Sequence, residues 1–241
     1  MFKLLVLLTS FMSFGLIANE VRVLTEHLPP YQIAKNGQIV SGSSYLIMAE
    51  VLKRANIEAT TEVAPWIRTY RTALNEPNTI IYSITRSKER ELLFNWVGQL
   101  HHLEYSFFSK NENKNIHIET GADALNYTVV SVRGSFEASS LQRQGFKVGE
   151  NLILVVDYIT AWKMLQLGRA DLTYGNEPVF VGGVADDTLF KRHGNVVEIF
   201  DLYVAANLKT DEKILRRLSS ALQSVKQDPS FKELFKINEH K

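Results

Sequence analysis

Ile80-Ile81-Tyr82-Ser83-Ile84-Thr85-Arg86-Ser87-Lys88-Glu89-Arg90-Glu91-Leu92-Leu93-Phe94-Asn95-Trp96 is the stretch on which the reading of this chain turns. An apolar run rich in Ile and Tyr ends in hydroxyl residues, and two arginines follow. That order predicts a buried strand whose end delivers Ser83, Thr85 and Arg86 or Arg90 to an edge of the protein. Hydroxyl and N–H donors beside a guanidinium fork are what a small carboxylate needs to be held by parallel hydrogen bonds. The competing reading makes both arginines solvated loop charges paired with Glu89 or Glu91.

Working outward, the segments before this strand alternate in type. Val21–Thr25 reads as a first strand that runs into Pro29-Pro30-Tyr31, where two prolines force a loop. Asn36-Gly37 is a hairpin-type turn signal. Gly42-Ser43-Ser44 opens a helix with Leu46, Ile47, Val51 and Leu52 expected inward, and Ile57–Val63 is a second strand. Pro65 suits a helix start, with Ile67, Tyr70 and Leu74 as the buried stripe and Trp66 left free for a cleft. The β-α-β-α-β order calls for a parallel sheet with helices on its faces, and ligands collect beyond the carboxyl ends of such strands.

After the stretch, Leu103–Phe108 is a strand, and the polar run Lys110–Lys114 reads as a boundary. A second α/β unit follows. Tyr127–Val132 is a strand, Ser135 caps a helix, Leu152–Val156 is a strand, and a helix from Ile159 to Leu167 ends at Gly168. Ala170–Tyr174 is again a strand, and Glu198–Ala205 is an extended chain crossing. The segment from Thr210 is an amphipathic helix with Ile214, Leu218, Ala221, Leu222 and Val225 on one face and Asp211 and Glu212 in its first turn.

Bulk composition narrows the function classes. The chain has 241 residues, 45% of them hydrophobic and 22% charged, with a net charge of +1 and no Cys. There is no basic stripe for nucleic acid, and without Cys there are no disulfides, thiol nucleophiles or Cys-ligated metals. Residues 1–18, with Lys3 followed by an apolar run too short for a comfortable span, read as a secretory signal peptide. Cleavage after Ala18 fits except for Leu16 three positions back; an uncleaved anchor is the other reading. His27 and His101-His102 lack metal-site spacing, no G-x-S-x-G elbow occurs, and Gly182-Gly183 has no phosphate-loop context. No metal, cofactor or catalytic constellation is expected.

Two further features suit a ligand site. Arg133-Gly134-Ser135 passes from a strand into a helix N-terminus, whose free N–H groups favour anions, although an ordinary Ser cap explains it as well. Trp66, with Arg68 nearby, is a cleft residue or a helix-end core residue.

The order of Pro29-Pro30-Tyr31, Gly42, Ser83-Ile84-Thr85 with Arg86/Arg90 and Phe94, Val132-Arg133-Gly134-Ser135, Leu167-Gly168-Arg169-Ala170-Asp171 and Phe231–Phe235 resembles the periplasmic solute-binding proteins of family 3, the amino-acid-binding type. The resemblance covers almost all of the chain after residue 18. It implies an α/β, two-lobed Venus-flytrap fold of type II with a mixed, mostly parallel sheet in each lobe. Lobe 1 would comprise 19–108 plus 202–241, and lobe 2 would comprise 109–201, with crossovers near Phe107–Ser109 and Phe200–Val204.

By the same resemblance, Ser83, Thr85 and an arginine hold a ligand carboxylate, Gly134 and Ser135 add donors, and Trp66 lies against the ligand. The function implied is a monomeric periplasmic receptor that delivers a small polar solute to the membrane permease of an ABC importer. The alternatives are a dehydratase of prephenate-like acids on the same fold, with Glu26 or Glu177 as general acid, and an orphan ligand-sensing module. Two departures stand out. Arg86 lies eight residues before Phe94 and Arg90 four, whereas the family's arginine lies about six before, so either is the clamp. The family's ammonium-binding Asp, five residues after the position of Asp171, is Asn176 here, which leaves Glu26 or Glu177 to substitute.

Overall fold

The computed structural model describes residues 21–176 and 189–236. The expected signal peptide, Glu177 and Gly182-Gly183 lie outside them. The described elements are β1 (Arg22–Thr25), β2 (Ile33–Lys35), β3 (Gln38–Ser41), α1 (Ser43–Arg54), β4 (Thr61–Val63), α2 (Trp66–Asn75), β5 (Thr79–Thr85) and β6 (Phe94–Lys110). They continue with β7 (Val129–Val132), α3 (Phe136–Arg143), β8 (Leu152–Val155), α4 (Tyr158–Gln166), β9 (Leu172–Asn176), β10 (Phe190–Asn207) and the C-terminal helix α5 (Glu212–Gln227).

Eight strands form one hydrogen-bonded series in the order β4-β1-β5-β10-β6-β9-β7-β8. β1 pairs in parallel with β4 and β5, as the β-α-β-α-β order requires. β7 pairs in parallel with β8 and β9. Joining these two parallel sets are β6 and β10, antiparallel to each other from Phe190↔Lys110 to Asn207↔Phe94. The fold is therefore α/β with a mixed sheet, and the two long strands belong to both of its halves.

The sequence expectation of a strand starting at Leu103 is corrected: β6 begins at Phe94. Asn95, Gly98, Gln99 and His101-His102 interrupt the apolar pattern there. The ladder with β10 supplies what that pattern does not advertise.

Each half has its own core. In the first, α1 and α5 bury Ile47, Met48, Val51, Leu218, Leu222 and Val225 against Val23, Ile80 and Val204. Each such side chain taken out of water contributes about 1.5–3 kcal/mol. In the second half, Leu141 of α3 packs with Val129, Leu152 and Leu172, and Ala161 of α4 packs with Val130 and Ala170. Ser135 caps α3 by accepting from the Ala138 N–H, and Asp157 caps α4 through the Thr160 N–H.

Two helix faces differ from expectation. Leu46 is 45% exposed, because the inward stripe of α1 runs through Ile47, Met48, Val51 and Leu52 and Leu46 falls one step outside it. On α2 the fully buried stripe is Trp66, Thr69 and Ala73, while Ile67, Tyr70 and Leu74 are half-buried. The apolar side chains of that helix serve a second contact: Tyr70 meets Phe94 and Ile67 approaches Gly134.

Candidate functional site

β1 and β5 end side by side in the first half, and the turn into α3 comes from the second half. Between them lies a cavity lined by Glu26, Tyr31, Trp66, Ser83, Thr85, Arg90, Tyr105, Ser135, Phe136, Glu137, Tyr158 and Asn176, among others. Its volume is about 20 Å³, enough for about one water molecule. A larger occupant requires the walls to separate.

The Ser83 position is built by a β-bulge. Ser83 has φ 59°, left-handed for a non-glycine residue, where the β5–β10 register shifts between Tyr203 and Val204. Its hydroxyl donates to Gln32 Oε1 at 2.8 Å and lies 3.0 Å from Ser44 Oγ. Thr85, at the strand end, has its hydroxyl 3.4 Å from the Tyr105 phenol.

The ambiguity between the two arginines has a geometric outcome. Arg90 is 6% exposed and lines the cavity. Its guanidinium carbon lies 5.3 Å from the Trp66 ring centroid and 5.0 Å from that of Tyr70. It donates to the Thr85 carbonyl at 3.1 Å and reaches the Gly134 carbonyl at 3.5 Å, so further N–H groups of the fork remain to be offered. Arg86 lies elsewhere: it pairs with Glu91 and stacks on Trp96 and Tyr203. The solvated-pair reading thus describes Arg86 and not Arg90.

The other expected site residues divide in the same way. Trp66 faces the cavity although it is 4% exposed, and its indole N–H donates to the Gly134 carbonyl at 2.8 Å. Gly134 itself is not in the lining. It adopts φ 73°, and a Cβ there would sit 2.5 Å from Ile67 Cδ1. Ser135 is in the lining with its hydroxyl engaged as the α3 cap. Asn176 is in the lining too, but its amide is committed: Oδ1 accepts from Tyr31 at 2.9 Å and Nδ2 donates to the Glu104 carbonyl at 3.1 Å. Tyr31 is held in place by Gly42, where any side chain would collide with the Tyr31 carbonyl.

Two carboxyl groups complete the cavity. Glu26 is 5% exposed. Burial pushes its carboxyl well above the ordinary carboxylate range; Glu137 and Asp157 act in the same direction, and Arg90 opposes them. Glu137 accepts a 2.8 Å hydrogen bond from the Tyr158 phenol. Burial likewise raises the phenols of Tyr105 and Tyr158 well above their usual range, so both are neutral donors at physiological pH.

Glu137 is absent from the sequence-derived site. The only signal for it was its place in the first turn of α3, where an acidic residue is already explained by the helix dipole.

A two-half α/β fold with a buried arginine and carboxyls in a cavity between the halves defines a small-molecule binding protein. Residues 21–237 match the bacterial extracellular solute-binding proteins, family 3, and the chain belongs to that family. Comparison with curated protein sequences finds no match.

Among solved structures, a mutant of the arginine-binding protein ArgBP from T. maritima superposes with a TM-score of 0.77 at 17% identity, covering 90% of this chain and 93% of that one. The arginine-, lysine-, histidine-binding protein ArtJ from Geobacillus stearothermophilus gives 0.76 at 15% identity, covering 90% and 94%. A histidine kinase sensor domain with similarity to periplasmic binding proteins gives 0.76 at 14%, covering 89% and 93%. At these identities the likeness establishes the fold.

Proposed function

We propose that the chain is a periplasmic, monomeric receptor that closes on a small polar solute, an amino acid or related carboxylate, and delivers it to an ABC importer. Lobe 1 comprises 19–108 with 202–241, and lobe 2 comprises 109–201. They move about β6 and β10. The observation that carries this reading is Arg90: a guanidinium buried between two aromatic rings, facing the cavity between the halves with N–H groups still to give. The hydroxyls of Ser83 and Thr85 stand beside it on lobe 1, and lobe 2 brings Ser135 to the same cavity.

A thermal-shift panel of the amino acids and small carboxylic acids tests the proposal. A ligand that binds only the native state raises the melting temperature by mass action. At least one member should do so in the wild type and fail to do so in Arg90→Ala. No shift across the panel overturns the reading.

Glu26 supports a second reading. A cavity carboxyl held protonated by burial is the general acid that a dehydratase of prephenate-like acids requires. Incubation with such acids should then break the ring–carboxylate bond and expel the ring hydroxyl, releasing carbon dioxide and water and leaving an aromatic chromophore, with loss of turnover in Glu26→Gln. Unchanged substrate after prolonged incubation leaves the receptor.

A further inference from the structure

We propose that shutting the cleft takes up a proton on Glu26, so that acid closes the molecule and alkali opens it. The inference rests on the receptor reading above for the movement of the two halves, and it involves no ligand.

Glu26 follows β1 directly and belongs to the first half. It is almost fully buried and lines the cavity, and its carboxyl receives no hydrogen bond from any described residue. The space beside it holds about one water molecule, too little to replace the hydration of an anion. A carboxyl in that position sheds its charge rather than stay buried and ionised.

The second half adds to the pressure. Glu137, in the first turn of α3, lines the same cavity. Asp157, the cap of α4, acts on Glu26 in the same direction as Glu137 and as burial itself. Arg90 opposes them more weakly; its fork is turned to the carbonyls of Thr85 and Gly134. The phenols of Tyr31, Tyr105 and Tyr158 are the remaining titratable groups of the lining. Tyr158 donates to Glu137, and burial keeps Tyr105 and Tyr158 neutral. Next in the chain, His27 accepts the Ala34 N–H at 2.8 Å through Nδ1; burial lowers its pKa, and Asp157 opposes that.

Burial and both acidic neighbours arrive with closure. When the halves part, water reaches Glu26, and α3 and α4 carry Glu137 and Asp157 away, so the carboxyl returns to its ordinary range. A group that holds its proton more tightly in one form draws the molecule toward that form as the pH falls. The shut form therefore gains on the open one as the pH drops toward 4.5, the ordinary value for this group, and the gain levels off below it. The gain is lost as the pH rises through the raised value of the shut form. Any ligand that needs the shut form is gripped more tightly in acid.

Pulsed electron paramagnetic resonance on the full protein without ligand tests this. Lys88→Cys and Gln142→Cys place one spin label on each half beside the Glu89–Arg143 pair, in a chain with no other Cys. From pH 8 to pH 5.5 the ratio of short to long distances should rise at least about tenfold, the limit for one proton being about tenfold per pH unit. Glu26→Gln, a neutral isostere, should give the short distance at both pH values. Glu137→Gln should move the response to lower pH, and His27→Gln should leave it unchanged.

A wild-type distribution indifferent to pH, a response retained in Glu26→Gln, or one lost in His27→Gln overturns the proton switch. The receptor reading then still stands if a member of the thermal-shift panel raises the melting temperature. A Glu26-dependent response with no thermal shift from any member keeps the switch and removes the receptor. Circular-dichroism melts at both pH values check that each variant folds. Where Glu26→Gln does not melt cooperatively, Glu137→Gln decides: a response unmoved from that of the wild type overturns the switch.

Discussion

The phenol of Tyr31 donates a 2.9 Å hydrogen bond to Oδ1 of Asn176, joining the loop after β1 to the end of β9 across the cleft. Asn176, where the family resemblance implies an ammonium-binding Asp, is here part of a brace between the two halves. Tyr31→Phe keeps the ring against His101 and removes this link. It should weaken ligand affinity several-fold, equivalent to about 1 kcal/mol, while stability without ligand falls by a similar amount. Calorimetry with and without ligand checks it; unchanged affinity would mean that the brace is indifferent to closure.

Arg86 and Arg90 make opposite predictions from neighbouring positions. Arg86→Ala removes a surface ion pair and two ring contacts, which should cost less than about 1 kcal/mol of stability and leave ligand affinity alone. Arg90→Ala removes the buried fork and should lower affinity for a carboxylate ligand by about a hundredfold. Equal effects in the two variants would count against the cavity as the binding site.

Gly134→Ala adds a Cβ 2.5 Å from Ile67 Cδ1 at a residue with φ 73°. The left-handed backbone alone costs roughly 1 kcal/mol for an alanine, and the contact with Ile67 adds to it. Ile67→Ala in the same chain should recover the steric part and not the backbone part. Urea unfolding of the single and double variants separates the two; full recovery by Ile67→Ala would show that the backbone carries no strain.

His101 sets a pH dependence. It is 1% exposed, with Nε2 3.0 Å from Ser44 Oγ and 3.3 Å from Ser43 Oγ. Burial pushes its pKa down to about 4, against a weaker pull upward from the Phe235 backbone. Between its ordinary value of 6.5 and about 4, the unfolded chain binds a proton that the native state refuses. Stability should therefore fall as the pH drops through that window, by up to about 3 kcal/mol from this group. Urea midpoints at pH 7 and 4.5 should show a smaller difference in His101→Gln than in the wild type. An identical difference would assign the acid sensitivity to other groups.

Strand β5 and the start of α3 were legible in the sequence because local chemistry marks them, whereas the start of β6 was not. Ile80–Thr85 is uniformly apolar or hydroxylic and lies buried throughout as β5, and Ser135 caps α3 as its position before an apolar run suggested. What was not legible depends on partners distant in sequence. Trp66, Thr69 and Ala73 are the buried stripe of α2 because the turn at Gly134, from the other half, takes Ile67 on the adjacent face. The choice between Arg86 and Arg90 rested on which side of a turn faces the cavity, and spacing to Phe94 cannot encode that. Glu137 looked like an ordinary first-turn acid until Glu26, over a hundred residues away, stood across from it.

α1, α5 and the turn from Pro229 to Phe235 pack together in the first half, with Val21 against the same core. The first and last described residues of the chain therefore ride on one jaw. A surface tether or a fluorophore pair placed near Val21 and Phe235 would hold the first half alone and would report nothing of the closure proposed for the second. A reporter of the proposed closure has to bridge the two halves, for instance between the neighbourhoods of Glu89 and Arg143, whose side chains meet at 3.3 Å. Built that way, the molecule becomes its own gauge of whatever solute it captures.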